Sequence, residues 1–223
     1  WFESFHYDIP REILSGIAIT FRDAGHVLGS AMVEVECKEN GSTKRFLEGG
    51  DLGRVHTPIL RDPWVPGEFD VVMMESTYGN RDHDPVEAMD GRLAQIIRDT
   101  VGRGGKIVIP SFALERAQEV VYALRRLEHD PNVPRLPVYV DSPMTVNITE
   151  VFRMHPECFD ESIRDFVAEN GDPFAAPRIR YVRRVEDSMK LNDLHKPAII
   201  ISASGMCESG RILHHLRNNI ENP

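Results

Sequence analysis

Apolar and polar residues alternate from Ile13 to Phe21, with a break at Ser15-Gly16, and the alternation resumes from Ala31 to Glu36. A period of two puts every second side chain on one face, so these runs predict half-buried strands. Asn40-Gly41 is a two-residue hairpin signal, and Phe46-Leu47 leads into a glycine-rich turn at Asp51. Residues 1–50 therefore predict antiparallel strands. The apolar run from Phe69 to Met74 predicts a buried strand that ends at Glu75.

After residue 79 the period lengthens. Asp84, Pro85 and Glu87 form an N-cap, a proline at the first helical position and a capping-box glutamate. Val86, Met89, Leu93, Ile96 and Ile97 follow at helical spacing, and glycines 102, 104 and 105 stop the helix. Lys106 to Pro110 predicts a strand. Leu114, Ala117, Val120, Val121, Leu124 and Leu127 form the stripe of a second helix. Further strands are expected at 137–141, more weakly at 178–182, and strongly at 198–202. Helices are expected at about 143–154, 160–169 and 209–220. Strands alternating with helices predict a parallel sheet covered on both faces. The fold class is thus α/β, with antiparallel strands first and a parallel sheet second.

Composition adds few constraints. The chain has 223 residues, 27% charged and 41% apolar, as an ordinary soluble domain has. It contains no apolar run of membrane-spanning length and no secretory leader, and it opens on Trp1, so residue 1 is not expected to be the natural start. Its three cysteines, Cys37, Cys158 and Cys207, are odd in number and widely spaced, which suits reduced thiols in the cytoplasm. No Cys-x-x-Cys pair suggests a structural zinc. A net charge of −9 argues against broad, unspecific binding to phosphate backbones. Arg178, Arg180, Arg183 and Arg184 nevertheless make a dense basic run, which is expected to be a solvated strand or loop edge.

The candidate chemistry lies in two turns. Asp23-Ala24-Gly25-His26-Val27-Leu28-Gly29-Ser30 and Gly49-Gly50-Asp51-Leu52-Gly53-Arg54 each follow a strand-like run and each carry a metal-competent side chain. Strand ends of one sheet can deliver such residues to a common edge. Imidazole nitrogen and carboxylate oxygen together form a donor pair that zinc accepts.

These two turns, with Glu75-Ser76-Thr77-Tyr78-Gly79, resemble consecutive motifs of the metallo-β-lactamase-fold nucleases. The segments 109–119 (Ile-Pro-Ser-Phe-Ala-Leu-Glu-Arg-Ala-Gln-Glu), 140–144 (Val-Asp-Ser-Pro-Met), Ser204-Gly205-Met206 and 210–216 (Gly-Arg-Ile-Leu-His-His-Leu) narrow the resemblance to the β-CASP branch. The group it resembles is that of bacterial and archaeal relatives of the pre-mRNA cleavage endonuclease subunit. Residues 1–79 would be the later part of a metallo-β-lactamase αββα domain. Residues 80–223 would be most of a Rossmann-like β-CASP domain.

The resemblance implies a ribonuclease with two zinc ions that hydrolyses phosphodiester bonds in single-stranded RNA. It makes His26 a ligand of one zinc and Asp51 the carboxylate that bridges both, with a role in catalysis. It gives Glu75 a catalytic role through a histidine that assists leaving-group protonation. Ser76, Thr77 and Tyr78 are expected near the substrate. Ser204 and Gly205, in the loop between the strand at 198–202 and the last helix, are expected to hold the RNA backbone. The family's His-x-His-x-Asp-His motif does not precede His26, and its two late histidines do not appear before Pro223. His214 and His215 sit on a helix, pointing about 100° apart, and are expected to be structural or surface residues. The chain is therefore expected to be an internal fragment, inactive alone and holding no tight zinc. Alternatives are a DNA nuclease of the same superfamily, a non-catalytic RNA-binding scaffold, and, least of all, a small-molecule hydrolase. No membrane partner is expected, and a homodimer is compatible with this reading.

Overall fold

The computed structural model describes residues 3–86 and 88–221 and divides into two compact units. The first comprises residues up to Asp84 together with Cys158–Glu161, and the second comprises Pro85–Glu157 and Ser162 onward.

The first unit is built on a five-stranded sheet in the order β1 to β5. Its strands are β1 (Arg11–Leu14), β2 (Ile17–Asp23), β3 (Ala31–Glu39), β4 (Ser42–Glu48) and β5 (Val71–Met73). Asn40 and Gly41 both take positive φ, 51° and 78°, which is the conformation a two-residue hairpin with matching twist requires. β2 and β4 each pair antiparallel with β3, and β5 pairs parallel with β4. Hence β2, β4 and β5 run in one direction and end at the same edge of the sheet. Ala24, Met32 and Leu47 form a buried cluster with Leu52, Trp64 and Phe69 packed against it.

One expectation fails here. The run from Phe69 to Met74 is not a buried strand: Val71, Val72, Met73 and Met74 are each at least half exposed. β5 pairs only with β4, so it is an edge strand whose apolar residues lack a covering layer within the described residues. Apolar composition alone does not distinguish a central from an edge strand.

The second unit carries a four-stranded parallel sheet in the order β6-β9-β7-β8. Its strands are β6 (Ile107–Pro110), β7 (Val138–Val140), β8 (Ile179–Tyr181) and β9 (Ile199–Ser202). The helices are α1 (Ala88–Gly102), α2 (Arg116–Arg126), α3 (Pro143–Met154), α4 (Glu161–Asn170), α5 (Val185–Lys190) and α6 (Ile212–Asn219). β9 is buried along its whole length, which is why it reads as an unbroken apolar run. The Ser142 hydroxyl caps α3 by accepting from the Thr145 N–H at 3.2 Å, and Pro143 follows it at the first helical position.

The predicted stripe of α1 is only partly the buried face. Ile97 is buried, but Met89 and Ile96 are exposed, while Ala94 and Thr100 face inward. Glu87 lies outside the described residues, so the capping box is not described. α5, six residues long, was not expected because it is too short for a stripe to repeat. Among the described residues no disulfide joins Cys37, Cys158 or Cys207. Among the described residues no helix is long and apolar enough to cross a membrane.

Candidate active site

Three strand ends meet at one edge of the first unit. β2 leads into the His26 turn, β4 into the Asp51 turn and β5 into Glu75. Backbone hydrogen bonds stitch these turns together. The Gly53 N–H donates to the Ala24 carbonyl at 2.8 Å, and the Gly49 N–H donates to the Met73 carbonyl at 2.8 Å. Glu75 completes the junction by accepting from the Leu52 N–H at 2.8 Å. The Ser30 hydroxyl accepts from the N–H groups of His26 and Val27 at 3.1 and 3.2 Å, which sets the bend that presents the imidazole.

Two glycines permit this close approach. Gly25 has a φ of 59°, and a Cβ there would stand 2.7 Å from the Pro63 nitrogen. A Cβ on Gly53 would stand 1.9 Å from the Gly25 carbonyl oxygen. Gly53→Ala is therefore expected to break the Gly53–Ala24 bond and to separate the two turns. A stability loss of about 1–3 kcal/mol should follow, read by denaturant titration. An alanine variant with wild-type stability would show that the turns need not touch.

Hydrogen bonding from Thr77 and from the Leu52 N–H holds the Glu75 carboxyl below the usual carboxylate range, and the nearby His26 adds to this. Glu75 is therefore an ionised acceptor near neutral pH. Among the described residues the side chains of His26 and Asp51 make no hydrogen bond or salt bridge.

Zinc accepts such donors, yet tetrahedral zinc takes four ligands. Among the described residues no group of three or more His, Cys, Asp or Glu side chains is arranged to hold a metal ion. The donors in this chain do not by themselves fit the metal, and no chemical step is assigned to an ion held by them alone.

Ser76, Thr77 and Tyr78 form an exposed turn directly after Glu75, closed by the Gly79 N–H donating to the Ser76 carbonyl at 2.9 Å. Tyr78 stacks on His83 at 3.7 Å between ring centroids, and the Arg81 guanidinium lies 4.7 Å from the Tyr78 ring. Tyr78 is thus an exposed aromatic ring already packed against His83 and Arg81.

Ser204 and Gly205 belong to the second unit, at the carboxyl edge of its parallel sheet. A cavity of about 520 Å³ opens there, lined by Phe112, Asp141, Ser142, Ser204, Gly210 and Arg211 among others. Ser204 lines it, with its hydroxyl accepting from the Met206 N–H at 3.3 Å. Gly205 instead packs against Phe112, where a Cβ would come within 2.9 Å of the Phe112 nitrogen. Its part is to let the loop close, while Ser204 faces the space.

A buried ionic cluster lies behind that cavity. Asp141 is fully buried at the end of β7. Its Oδ1 accepts from Arg211 Nη1 at 2.6 Å, and its Oδ2 accepts from the Ser188 hydroxyl at 2.5 Å. His215 Nε2 lies 2.6 Å from the same Oδ2, and His215 Nδ1 lies 3.1 Å from Asn192 Oδ1. Burial pushes the Asp141 carboxyl up, but hydrogen bonds from His215, Ser188 and Arg211, with the Arg211 charge, bring it below the ordinary value. His215 is thus structural, as expected, while His214 is exposed. The cluster itself was not anticipated. One signal was present: His215 stands three residues after the buried Ile212 and so shares its inward face.

The Beta-Casp domain pattern matches residues 117–223. Ribonuclease TTHA0252 of Thermus thermophilus is 35% identical over 210 residues, covering 94% of this chain and 47% of that protein. Endoribonuclease YSH1 of Saccharomyces cerevisiae is 32% identical over 203 residues, covering 88% of this chain and 25% of that protein. Transcription termination factor FttA of Pyrococcus horikoshii is 30% identical over 221 residues, covering 97% and 33% respectively. The chain thus spans about half the length of the first of these relatives, and a third or less of the other two.

Proposed function

We propose that this chain, which belongs to the β-CASP family, is part of an enzyme that hydrolyses phosphodiester bonds in single-stranded RNA. The observation that carries the reading is the stitched junction of the His26, Asp51 and Glu75 turns. It presents an imidazole and a carboxylate that no side-chain hydrogen bond or ion pair engages among the described residues, beside an ionised glutamate. Relatives named as ribonucleases supply the reaction class.

In this reading His26 and Asp51 each contribute a ligand to the two-zinc site of the complete enzyme, and the other ligands come from outside residues 1–223. A metal pair held there would supply activation of water and stabilisation of charge on the phosphate. Glu75 orients the Asp51 turn through the Leu52 N–H and keeps a negative charge beside His26. Ser76, Thr77 and Tyr78 contact substrate on the first unit, and Ser204 contacts RNA phosphate on the second, with Gly205 shaping its loop. The 223 residues alone are inactive and hold no tight zinc in this account. Three cysteines that form no disulfide among the described residues suit a cytoplasmic protein. No observation favours a homodimer, and the proposal does not include one.

The test is cleavage by the full-length protein of single-stranded RNA and DNA of matched sequence. RNA is expected to be cut and DNA spared. Preferential cutting of DNA would replace this reading with a DNA nuclease, and cutting of neither would favour a binding scaffold.

A further inference from the structure

The basic run first read as a solvated edge has a shape. β8 is an edge strand, paired only with β7. A groove of about 570 Å³ lies beside it, lined by Tyr139, Arg180, Arg183, Arg184 and Lys190 among others, with Asp187 as its one carboxylate. A second groove, of about 520 Å³, is lined by Arg135, Arg178 and Arg180, with Glu128 as its one carboxylate. Arg180 lines both, so the two grooves adjoin at that residue and their cations make a track along β8. Together they hold six arginine and lysine side chains against two carboxylates, on a chain whose net charge is −9.

Some of these cations are already engaged. Arg178 is paired with Glu128 at 2.8 Å, Lys190 with Asp187 at 2.7 Å, and Arg184 loosely with Glu186 at 3.4 Å. Among the described residues no carboxylate lies within salt-bridge distance of Arg135, Arg180 or Arg183. Arg183 hydrogen-bonds only the neutral amide of Asn147 through its side chain. Unmatched cations set in a groove form a site for an anionic chain. The track also has a direction. The Arg183 carbonyl accepts from Arg211 Nη2 at 2.8 Å, and Arg211 lines the cavity that Ser204 faces.

We propose that the groove along β8 binds the backbone of single-stranded RNA away from the bond that is cut, and leads it past Arg183 towards the Ser204 cavity. The cations at Arg135, Arg180, Arg183 and Arg184 meet successive phosphates, and Tyr139, half-buried in the floor, offers an apolar surface to a base. The inference rests on the RNA-cleaving reading of the preceding subsection and adds to it where substrate is held.

The test uses the full-length protein carrying Arg180→Gln, Arg183→Gln and Arg184→Gln together. None of these residues belongs to the proposed catalytic machinery. Affinity for a fluorescein-labelled oligouridylate is read by anisotropy, in EDTA to block cleavage, between about 50 and 200 mM KCl. Each lost phosphate contact lowers the slope of log K against log salt by about 0.7, so the triple variant should lose about 2 from its slope and bind roughly tenfold or more weakly. Cleavage of a long RNA should show raised KM with kcat retained. A short oligonucleotide that reaches only the cut site should be cleaved at the wild-type rate.

Arg180→Gln with Arg184→Gln, which leaves the Arg183–Asn147 bond in place, should show about two thirds of the slope change and guards against misfolding. Unchanged affinity and slope in these variants, with wild-type protein that binds and cuts RNA, would overturn the groove and leave the proposed function standing. A wild-type protein that neither binds nor cuts RNA would overturn both.

Discussion

Asp51→Ala and His26→Ala, each made in the full-length protein, are expected to lower RNA cleavage about a thousandfold or more, the scale of losing a group that acts at the reacting centre. The fold should survive both changes. Asp51 is exposed and His26 half-exposed, and among the described residues neither side chain hydrogen-bonds or ion-pairs. Truncating a side chain without such partners changes stability by no more than about 0.5 kcal/mol. The turns themselves are held by backbone groups and by Ser30 and Glu75, which stay in place. Cleavage assays paired with urea titrations check both halves of the expectation. A variant that unfolds would place these residues in the structure rather than the chemistry.

Asp141→Ala is expected to have the largest effect on stability, about 3–5 kcal/mol, because it leaves the Arg211 guanidinium and His215 facing an empty, buried site. In a chain of this size that corresponds to a fall of roughly 10 °C in the unfolding midpoint of the second unit. Asp141→Asn should lose less, since the amide oxygen can still accept one of the bonds. The same cluster sets an acid limit. The Asp141 carboxyl titrates below its ordinary 3.8 in the folded state, facing Arg211 and His215. The unfolded chain therefore takes up the proton first as pH falls. Stability from this group is fully present above the ordinary value and is lost as pH drops below 3.8 towards the folded value. The gap between wild type and Asp141→Ala should narrow over that window. A gap that stays constant with pH would mean the carboxylate is not the source of the stability.

Much of the fold was legible because its signals are local. Asn40-Gly41 specifies its hairpin, Ser142-Pro143 caps its helix, and the unbroken apolar run into Ser202 marks the central strand of a parallel sheet. The His26 and Asp51 turns were legible for the same reason, as glycine-flanked polar residues directly after strands. That they touch was not legible, since the bond from Gly53 to Ala24 depends on β2 and β4 both pairing with β3. The Asp141 cluster was hidden for a like reason. It gathers Ser188, Arg211 and His215 from up to 74 residues away along the chain, and no short motif encodes that separation. β5 was misread because apolar residues on an edge strand look the same in sequence as those on a central one. The arginines along β8 looked like an ordinary solvated edge until the two grooves were seen to share Arg180.

The most direct test of the account is the rate of RNA cleavage by the full-length protein before chelation, after chelation and after zinc is returned, with Asp51→Ala run in parallel. The account predicts that wild-type cleavage is lost with the metal and restored by zinc, and that Asp51→Ala is not restored. Cleavage that persists after complete removal of metal, or a folded Asp51→Ala variant that recovers the wild-type rate, would contradict it.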